Sequence, residues 1–392
     1  MPVPAVKGGA IEQLIQYFIE GNEVNHEYDI DLYTVDDPLL IHVKYKYTTL
    51  IKLRDKQKNI FGYRLKYGLK NRFNKVLHNQ TMSSYLIDST YKRYKRNYYD
   101  VVLVENNMDL YQKIYPIFNK ERIVFHLHND VDCNDPAKTK EKTKYVMDTA
   151  DKIIVVSDFL KQKLVKIAPE QENKVYVAYN GIIGASFKNI GKEEKIKIRE
   201  KYNLQDDDIV FTFVGRMCSD KGIDKLLKAM GRLKKYPKIH CLIVGNNFFG
   251  SAEENDFINN LNTIAKDLTD KIHFTGYISN SELYKIYSIT DCVIIPAQYE
   301  EVFGVVALEA MKMQKPVIAS ISGALPEVLS EKCAIFIKRD TKFVLNLSDT
   351  IYKLANDKSL RIKLGLNGGK RSMHFPQNEK QYFNLIRNII GD

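Results

Sequence analysis

The stretch Cys292-Val293-Ile294-Ile295-Pro296-Ala297-Gln298-Tyr299-Glu300-Glu301-Val302-Phe303-Gly304-Val305-Val306-Ala307-Leu308-Glu309-Ala310-Met311 reads as strand, loop and helix in that order. Cys292 to Ile295 is a short apolar run stopped by proline, and Val305 to Met313 is an apolar helix. The loop between them places Glu301 ahead of a Phe-Gly turn and Glu309 eight positions later, inside the helix. The first turn of a helix has unpaired N–H groups and a positive dipole end, so such a loop can aim a carboxylate and free donors at a ligand carrying hydroxyls and phosphates. The same spacing suits a solvated face with a capping residue, so the two glutamates alone are only a hint.

Outward from this stretch the pattern repeats. Val101 to Val104, Arg122 to Leu127, Lys152 to Val156 and Lys174 to Ala178 are short strands alternating with helices over Leu110 to Phe118, Thr139 to Ala150 and Asp158 to Lys166. After a polar segment over residues 183–208, a second series follows: Ile209 to Val214, His240 to Val244, Ile272 to Phe274, Val293 to Ile295, Pro316 to Ala319 and Ala334 to Ile337. Apolar strands alternating with helices predict parallel sheets covered on both faces. The chain therefore reads as two doubly wound α/β domains joined near residues 180 to 205, with ligands expected at the C-terminal ends of the strands and a cleft between the domains.

With 392 residues and 44% hydrophobic content the chain can bury a large core. Its five cysteines, Cys133, Cys218, Cys241, Cys292 and Cys333, are scattered without a Cys-x-x-Cys pair, which argues for a reducing compartment and against a disulfide framework or a zinc site. No apolar run is long enough for a membrane span, and the N-terminus lacks a signal-peptide profile. The net charge of +11 is concentrated: residues 41–99 hold fifteen Lys or Arg against two Asp, a local +13, leaving the remainder near −2. Such a region suits an anionic membrane surface, nucleic acid or a solvated face.

The chain opens with Gly8-Gly9 before an amphipathic helix marked by Ile11, Leu14, Ile15 and Phe18, which Gly21-Asn22 is expected to end; a strand over Tyr28 to Val35 follows. A glycine pair opening a helix permits close approach to an anion, or is a plain turn. Phe61, Leu65, Leu69, Phe73 and Val76, interleaved with Arg64, Lys66, Lys70, Arg72 and Lys75, make a basic amphipathic helix of the kind that lies on anionic bilayers or packs on a core.

Three further groups carry chemistry. Val214-Gly215-Arg216 ends a strand and is followed by Ser219-Asp220-Lys221-Gly222; Arg216 supplies a fork of donors and Lys221 a point charge, a match for a diphosphate. Phe125-His126-Leu127-His128-Asn129-Asp130 closes a strand, with both histidines on one side; hydrogen bonding to a polar substrate is expected of them, since a metal site would need a third ligand that the sequence does not offer. Asp29-Ile30-Asp31, Asp130-Val131-Asp132 and Asp206 to Asp208 imitate a metal-binding Asp-x-Asp, the last expected in a solvated turn. No Gly-x-Ser-x-Gly and no Walker sequence is present.

Gly8-Gly9, His128, Asn180-Gly181, Gly215-Arg216, Lys221-Gly222, Gly276-Tyr277, Glu301-x7-Glu309, Pro316 to Ser320 and Pro326-Glu327 occur in an order and spacing by which the chain resembles the family 4 retaining glycosyltransferases of the GT-B fold, of bacterial cell-surface polysaccharide type. The resemblance covers nearly the whole chain and is densest from Val214 to Leu329. It implies an N-terminal acceptor-binding domain over residues 1–185, a C-terminal nucleotide-sugar domain over 186–374, and a helix within 375–392 crossing back to the first domain. It implies that Arg216 and Lys221 hold the donor diphosphate, that Glu309 takes the ribose hydroxyls, and that Glu301 contacts the transferred sugar. The backbone of Phe303, Gly304 and Val305 would reach sugar and phosphates, with Gly215 at the strand end. Gly276 to Ile278, including Tyr277, would lie beside the base. His128, and His126 less directly, would contact the sugar near its reacting carbon, and Gly9 the phosphate side.

The implied activity is a retaining, metal-independent hexosyl transfer from a nucleotide-diphosphate sugar to a lipid-linked or polysaccharide acceptor, at the cytoplasmic face of the membrane through region 41–99, with no cofactor and no nucleic-acid partner. Two alternatives remain at this level: a nucleotide-sugar epimerase of the same fold, or a membrane- or nucleic-acid-binding protein whose transferase cleft is vestigial. One departure stands out. The family begins with a strand before the Gly-Gly loop, whereas only seven residues precede Gly8, so the first strand is expected to be missing or shortened. Ala297 and Gly323-Ala324 also differ from the residues common in the family.

Overall fold

The computed structural model describes residues 1–7, 9–53, 85–131, 136–182, 187–245 and 252–391. Its contacts divide the chain into two units, Met1–Asn180 with Asn378–Asp392, and Gly181–Gln377. The basic amphipathic helix expected around residues 61–76 lies outside the described residues. Among the described residues no helix is long and apolar enough to cross a membrane.

In the first unit, β1 (Ile30–Val35) and β2 (Thr48–Leu53) form a parallel pair, while β3 (Val101–Glu105), β4 (Arg122–Leu127), β5 (Lys152–Val155) and β6 (Val175–Val177) form a separate parallel sheet in sequence order. In a doubly wound sheet the first strand of the domain lies centrally, between its second and fourth strands. That place corresponds to the break between β1 and β3. Residues 1–7 form no strand; Pro2, Val3 and Pro4 are buried, and Val3 N–H donates to Thr34 Oγ1 of β1 at 2.7 Å. Prolines at two of three successive positions cannot donate to a ladder, which keeps this segment from pairing as a strand.

Helix Ala10–Asn25 runs through Gly21-Asn22 instead of stopping there. Gly21 is a crossing point and not a stop: a Cβ on it would lie 2.4 Å from Phe383 Cβ and 2.7 Å from Glu379 O of the C-terminal helix Glu379–Gly391. Phe18 and Phe383 rings meet there at 5.2 Å. Tyr382, Phe383, Ile386, Ile389 and Ile390 are buried on the C-terminal helix, each contributing on the order of 1.5–3 kcal/mol of apolar burial. Asn22, fully buried, accepts from the N–H groups of Glu27 and Tyr28 and donates to Tyr28 O at 2.8 Å, so it organises the turn after the helix.

The second unit holds a six-stranded parallel sheet, β7 (Ile209–Val214), β8 (Ile239–Val244), β9 (Ile272–Gly276), β10 (Cys292–Ile295), β11 (Val317–Ser320) and β12 (Ala334–Ile337), in the order β12-β11-β10-β7-β8-β9. β8, β10 and β11 are buried at every position, which is why they read as unbroken apolar runs. Phe211, Leu226, Leu227, Ile243, Ile294 and Ile351 centre one face of the core. The polar segment expected to act as a linker contains a helix, Lys192–Lys201, packed on helix Leu283–Ile289. Glu193 and Glu194 in its first turn and Arg199 and Lys201 in its last match the helix dipole, a helix signal hidden by low hydrophobicity. Asp208 does not sit in a solvated turn as expected: it is buried, accepts from Gln205 N–H at 2.6 Å and faces His240 Nε2 at 3.4 Å.

Candidate active site

Strand order in the second unit reverses between β7 and β10, the place where a doubly wound sheet opens a crevice beyond its strand ends. The loop after β7 carries Arg216 and a 3-10 turn over Ser219–Lys221, closed by Gly222 at φ 70. A Cβ at Gly222 would lie 1.9 Å from Pro296 O, so only glycine lets this loop press against the end of β10. Gln298 N–H, donating to Asp220 O at 2.7 Å, ties the two loops together. Lys221 is thereby brought to Glu301.

Lys221 Nζ donates to Glu301 Oε1 at 2.6 Å and to Tyr299 Oη, and stands 4.6 Å from the centroid of the Tyr299 ring. Glu301 is fixed through its backbone: its N–H donates to Ser322 Oγ at 3.1 Å, and its carbonyl accepts from Ala324 N–H at 2.7 Å. Ser322 Oγ also donates to Tyr299 O. Neighbouring Glu300 is engaged elsewhere, with Arg339 and Gly323 N–H. Burial and the Glu301 carboxylate push the Tyr299 phenol far up, while Arg216 acts on it in the opposite sense. Arg216 itself is exposed at the end of the strand.

Gly304, at φ 88, starts helix Val305–Lys312, so the Phe303 to Val305 backbone lies at a helix N-terminus. Phe303 is buried edge-on against Phe375, ring centroids 5.9 Å apart, which anchors the turn. Glu309, one turn further on, is 8% exposed and accepts from Tyr287 Oη at 2.6 Å. Burial lifts its carboxyl to about 7, against the lowering effect of the Tyr287 hydrogen bond. Glu301 and Glu309 thus occupy different surroundings, one held by a cation and one by a phenol. Gly215 N–H donates to Val244 O at 3.0 Å at the end of β7; Gly276 ends β9 and exposed Tyr277 follows it, with Ile278 half-buried next in sequence.

In the first unit, Glu105 ends β3 directly opposite His126 of β4 in the parallel register. His126 Nδ1 lies 3.2 Å and His128 Nε2 2.8 Å from Glu105 Oε2, and the two imidazole centroids are 3.9 Å apart. Asn106 Oδ1 accepts from the backbone N–H groups of His128 and Asn129 at 3.0 and 3.1 Å, holding the strand end. Burial pushes the Glu105 carboxyl up, but its electrostatic and hydrogen-bonding contacts with His126 and His128 outweigh it and hold it at about 2. Burial, with His126 alongside, lowers His128 to about 4. The third residue that sequence reasoning did not find beside the histidines is therefore Glu105: the ligand atoms of Glu105, His126 and His128 lie within 4.8 Å of one another, close enough to hold a metal ion. Asp130 is instead paired with Lys163 at 2.7 Å. Gly9, at φ 105, caps helix Ala10–Asn25, and Glu12 crowds it: a Cβ there would lie 2.1 Å from Glu12 Oε2.

Tyr299, Tyr287 and Glu105 were missed from sequence. Tyr299 lies inside the quoted loop, and Glu105 is the last residue of an apolar strand that precedes the His-x-His strand, so both had a positional signal. Tyr287 had none, because its contact with Glu309 is set by packing of two helices.

Residues 194–371 match the family model described as glycosyl transferases group 1. The lipopolysaccharide 1,2-N-acetylglucosaminetransferase of Salmonella typhimurium (strain LT2) is 30% identical over 229 residues, 58% of this chain and 56% of that protein. The capsular polysaccharide biosynthesis glycosyltransferase CapM of Staphylococcus aureus is 30% identical over 238 residues, 58% of each chain. The aligned segments make up little more than half of each of these two relatives. The crystal structure of Anabaena Alr3699/HepE in complex with UDP-glucose superposes with a TM-score of 0.75 at 15% identity, covering 98% of this chain and 96% of that one. The fold is GT-B. The matched model and both relatives are those of glycosyltransferases.

Proposed function

We propose that the protein is a retaining glycosyltransferase that moves a hexosyl group from a nucleotide-diphosphate sugar to a lipid-linked or polysaccharide acceptor in bacterial cell-surface glycan synthesis. The observation that carries this reading is the Lys221–Glu301–Tyr299 constellation at the reversal of the second sheet, one loop away from the buried Glu309. Arg216 and Lys221 meet the diphosphate and stabilise it as it leaves, the electrostatic task that a metal ion performs in other transferases. Glu309 accepts from ribose hydroxyls, Glu301 from hydroxyls of the transferred sugar, and the helix N-terminus at Gly304 faces the phosphates. Gly215 and Gly9 let backbone approach the phosphates, and Tyr277 and Ile278 flank the base.

In the proposed step the acceptor hydroxyl attacks the anomeric carbon on the face from which the diphosphate departs. The carbon–oxygen bond to phosphate breaks as the new glycosidic bond forms, and the departing phosphate oxygen takes the acceptor proton. Configuration is retained. The developing oxocarbenium ion requires positioning and charge stabilisation, with His128 and His126 contacting the sugar. Glu301, held by Lys221, serves as a grip on hydroxyls and not as half of a two-carboxylate glycosidase pair.

A peripheral contact with anionic membrane at the cytoplasmic face is part of the proposal. Lys44 and Lys46 are exposed close to Leu39 and Ile41, which are 52% and 69% exposed. Basic groups beside apolar ones are the composition that binds anionic bilayers. The donor site is tested by a thermal-shift panel of UDP-, GDP- and ADP-sugars, since a ligand that binds the folded state raises its stability. One of them raises Tm; no shift at millimolar concentration overturns the reading.

A further inference from the structure

The two imidazoles that meet Glu105 each have a second nitrogen, and these second nitrogens, His126 Nε2 and His128 Nδ1, are buried with no hydrogen-bond partner among the described residues. Both rings are nearly inaccessible, at 2% and 6% exposure. We propose that Glu105 is a positioning residue that fixes the two histidines in opposite tautomers, His126 as the Nδ1–H form and His128 as the Nε2–H form. His126 Nε2 and His128 Nδ1 are then left as bare, enclosed acceptors.

An ionised carboxylate only accepts hydrogen bonds, so the ring nitrogen facing it must carry the hydrogen. Nδ1 of His126 and Nε2 of His128 face it. A neutral imidazole carries a single N–H, so the far nitrogen of each ring is bare. Protonating either ring would create a buried N–H with no acceptor, and orphaned buried N–H groups are rarer in native structures than under-used acceptors. It would also place a cation against a second imidazole 3.9 Å away. An enclosed bare nitrogen is therefore the arrangement that this fold tolerates, and Glu105 selects it in both rings.

The test is long-range proton–nitrogen correlation on the full chain labelled with [15N]histidine near pH 7.5, its eight histidines assigned through His126→Gln and His128→Gln. The expected spectrum gives pyrrole-type shifts at His126 Nδ1 and His128 Nε2 and pyridine-type shifts at the other two nitrogens. In Glu105→Leu the oxygen that both rings share is gone, so neither tautomer is fixed and the shifts of both rings move toward tautomer-averaged values. Reversed tautomers in the wild type, an imidazolium at either ring, or an unchanged pattern in Glu105→Leu overturns the proposal, and the wild-type spectrum decides even where the variant does not fold. Zinc chloride is added to a second sample. Metal-type shifts at both near nitrogens at stoichiometric zinc would make the triad a metal centre and also overturn it. No nucleotide sugar enters these measurements, so tautomers found as expected alongside a failed donor panel would sink the transferase reading and leave this assignment standing.

Discussion

Lys221 Nζ stands 2.6 Å from Glu301 Oε1, so the cation proposed for the diphosphate and the carboxylate proposed for the sugar already hold one another. The pair spans two loops that follow adjacent strands, β7 and β10. Each group is thus positioned by the other, and a donor has only to insert between partners already in place. Lys221→Met removes the charge and keeps the length of the side chain. It is expected to lower kcat/KM about 10²–10³-fold, the usual loss when one preorganised donor to developing charge is removed. Steady-state kinetics with the donor found in the thermal-shift panel check this, and a change within threefold would contradict the role of Lys221.

Tyr299 makes a narrower prediction. Its hydroxyl takes one Lys221 hydrogen bond while its ring lies under the same ammonium, so Tyr299→Phe deletes the first contact and keeps the second. A single hydrogen bond to a charged group is worth about 1.5–3 kcal/mol. Calorimetric affinity for the nucleoside diphosphate should fall by roughly tenfold with little change in Tm. Unchanged affinity would mean that Glu301 alone orients Lys221.

Glu309 ties stability to pH. Its folded carboxyl is raised to about 7, above the ordinary value of 4.5. A group raised on folding contributes stability in full below its unfolded value and loses it as pH rises through the folded one. The difference in unfolding free energy between wild type and Glu309→Gln should therefore move against the wild type between about pH 4.5 and 7 and level off above. A shift of this size corresponds to about 3 kcal/mol at most. Urea titrations of both proteins across that range measure it, and parallel curves would show that Glu309 is not raised.

The opposite dependence is expected from the cluster at the other end of the same sheet. His240 Nδ1 lies 3.1 Å from His273 Nε2, and Asp208 faces His240. Burial lowers both histidines, with Asp208 opposing it in each case. A histidine lowered on folding leaves stability intact above its unfolded value, near 6.5, and costs stability as pH falls below it. The wild type should lose more stability between pH 7 and 5 than His240→Asn does, read from chemical-denaturation midpoints. An equal loss in both would remove the cluster from the acid response.

What the sequence revealed about these sites follows from how local each signal is. β10 and helix Val305–Lys312 were legible because a buried parallel strand is an unbroken apolar run and the next helix is apolar too. Glu301 and Glu309 followed from that register. Tyr287 was not legible, since it reaches Glu309 from another helix, and Glu105 was passed over because a single acid at a strand end looks like a strand terminus. Lys192–Lys201 was hidden for a different reason: its stability lies in terminal charges and in one packed face, so its composition resembles a linker.

Gly21 shows the same limit and yields the last prediction. By propensity alone, alanine in a helix interior is favoured over glycine by about 1 kcal/mol. Here the added methyl would meet Phe383 Cβ at 2.4 Å and Glu379 O at 2.7 Å, and the second of these is backbone that a rotamer change cannot move. Helices Ala10–Asn25 and Glu379–Gly391 would have to separate, at a cost typical of overpacking, about 1–3 kcal/mol. The separation would also loosen the Phe18–Phe383 contact at 5.2 Å. Gly21→Ala should therefore destabilise the protein despite its better helix former, whereas Gly231→Ala, in helix Ile223–Arg232 with nothing within 4 Å of its added methyl, should be neutral or stabilising. Thermal unfolding of the two variants side by side separates packing from propensity: if both rise in Tm, the close approach at Gly21 does not govern the docking of the C-terminal helix.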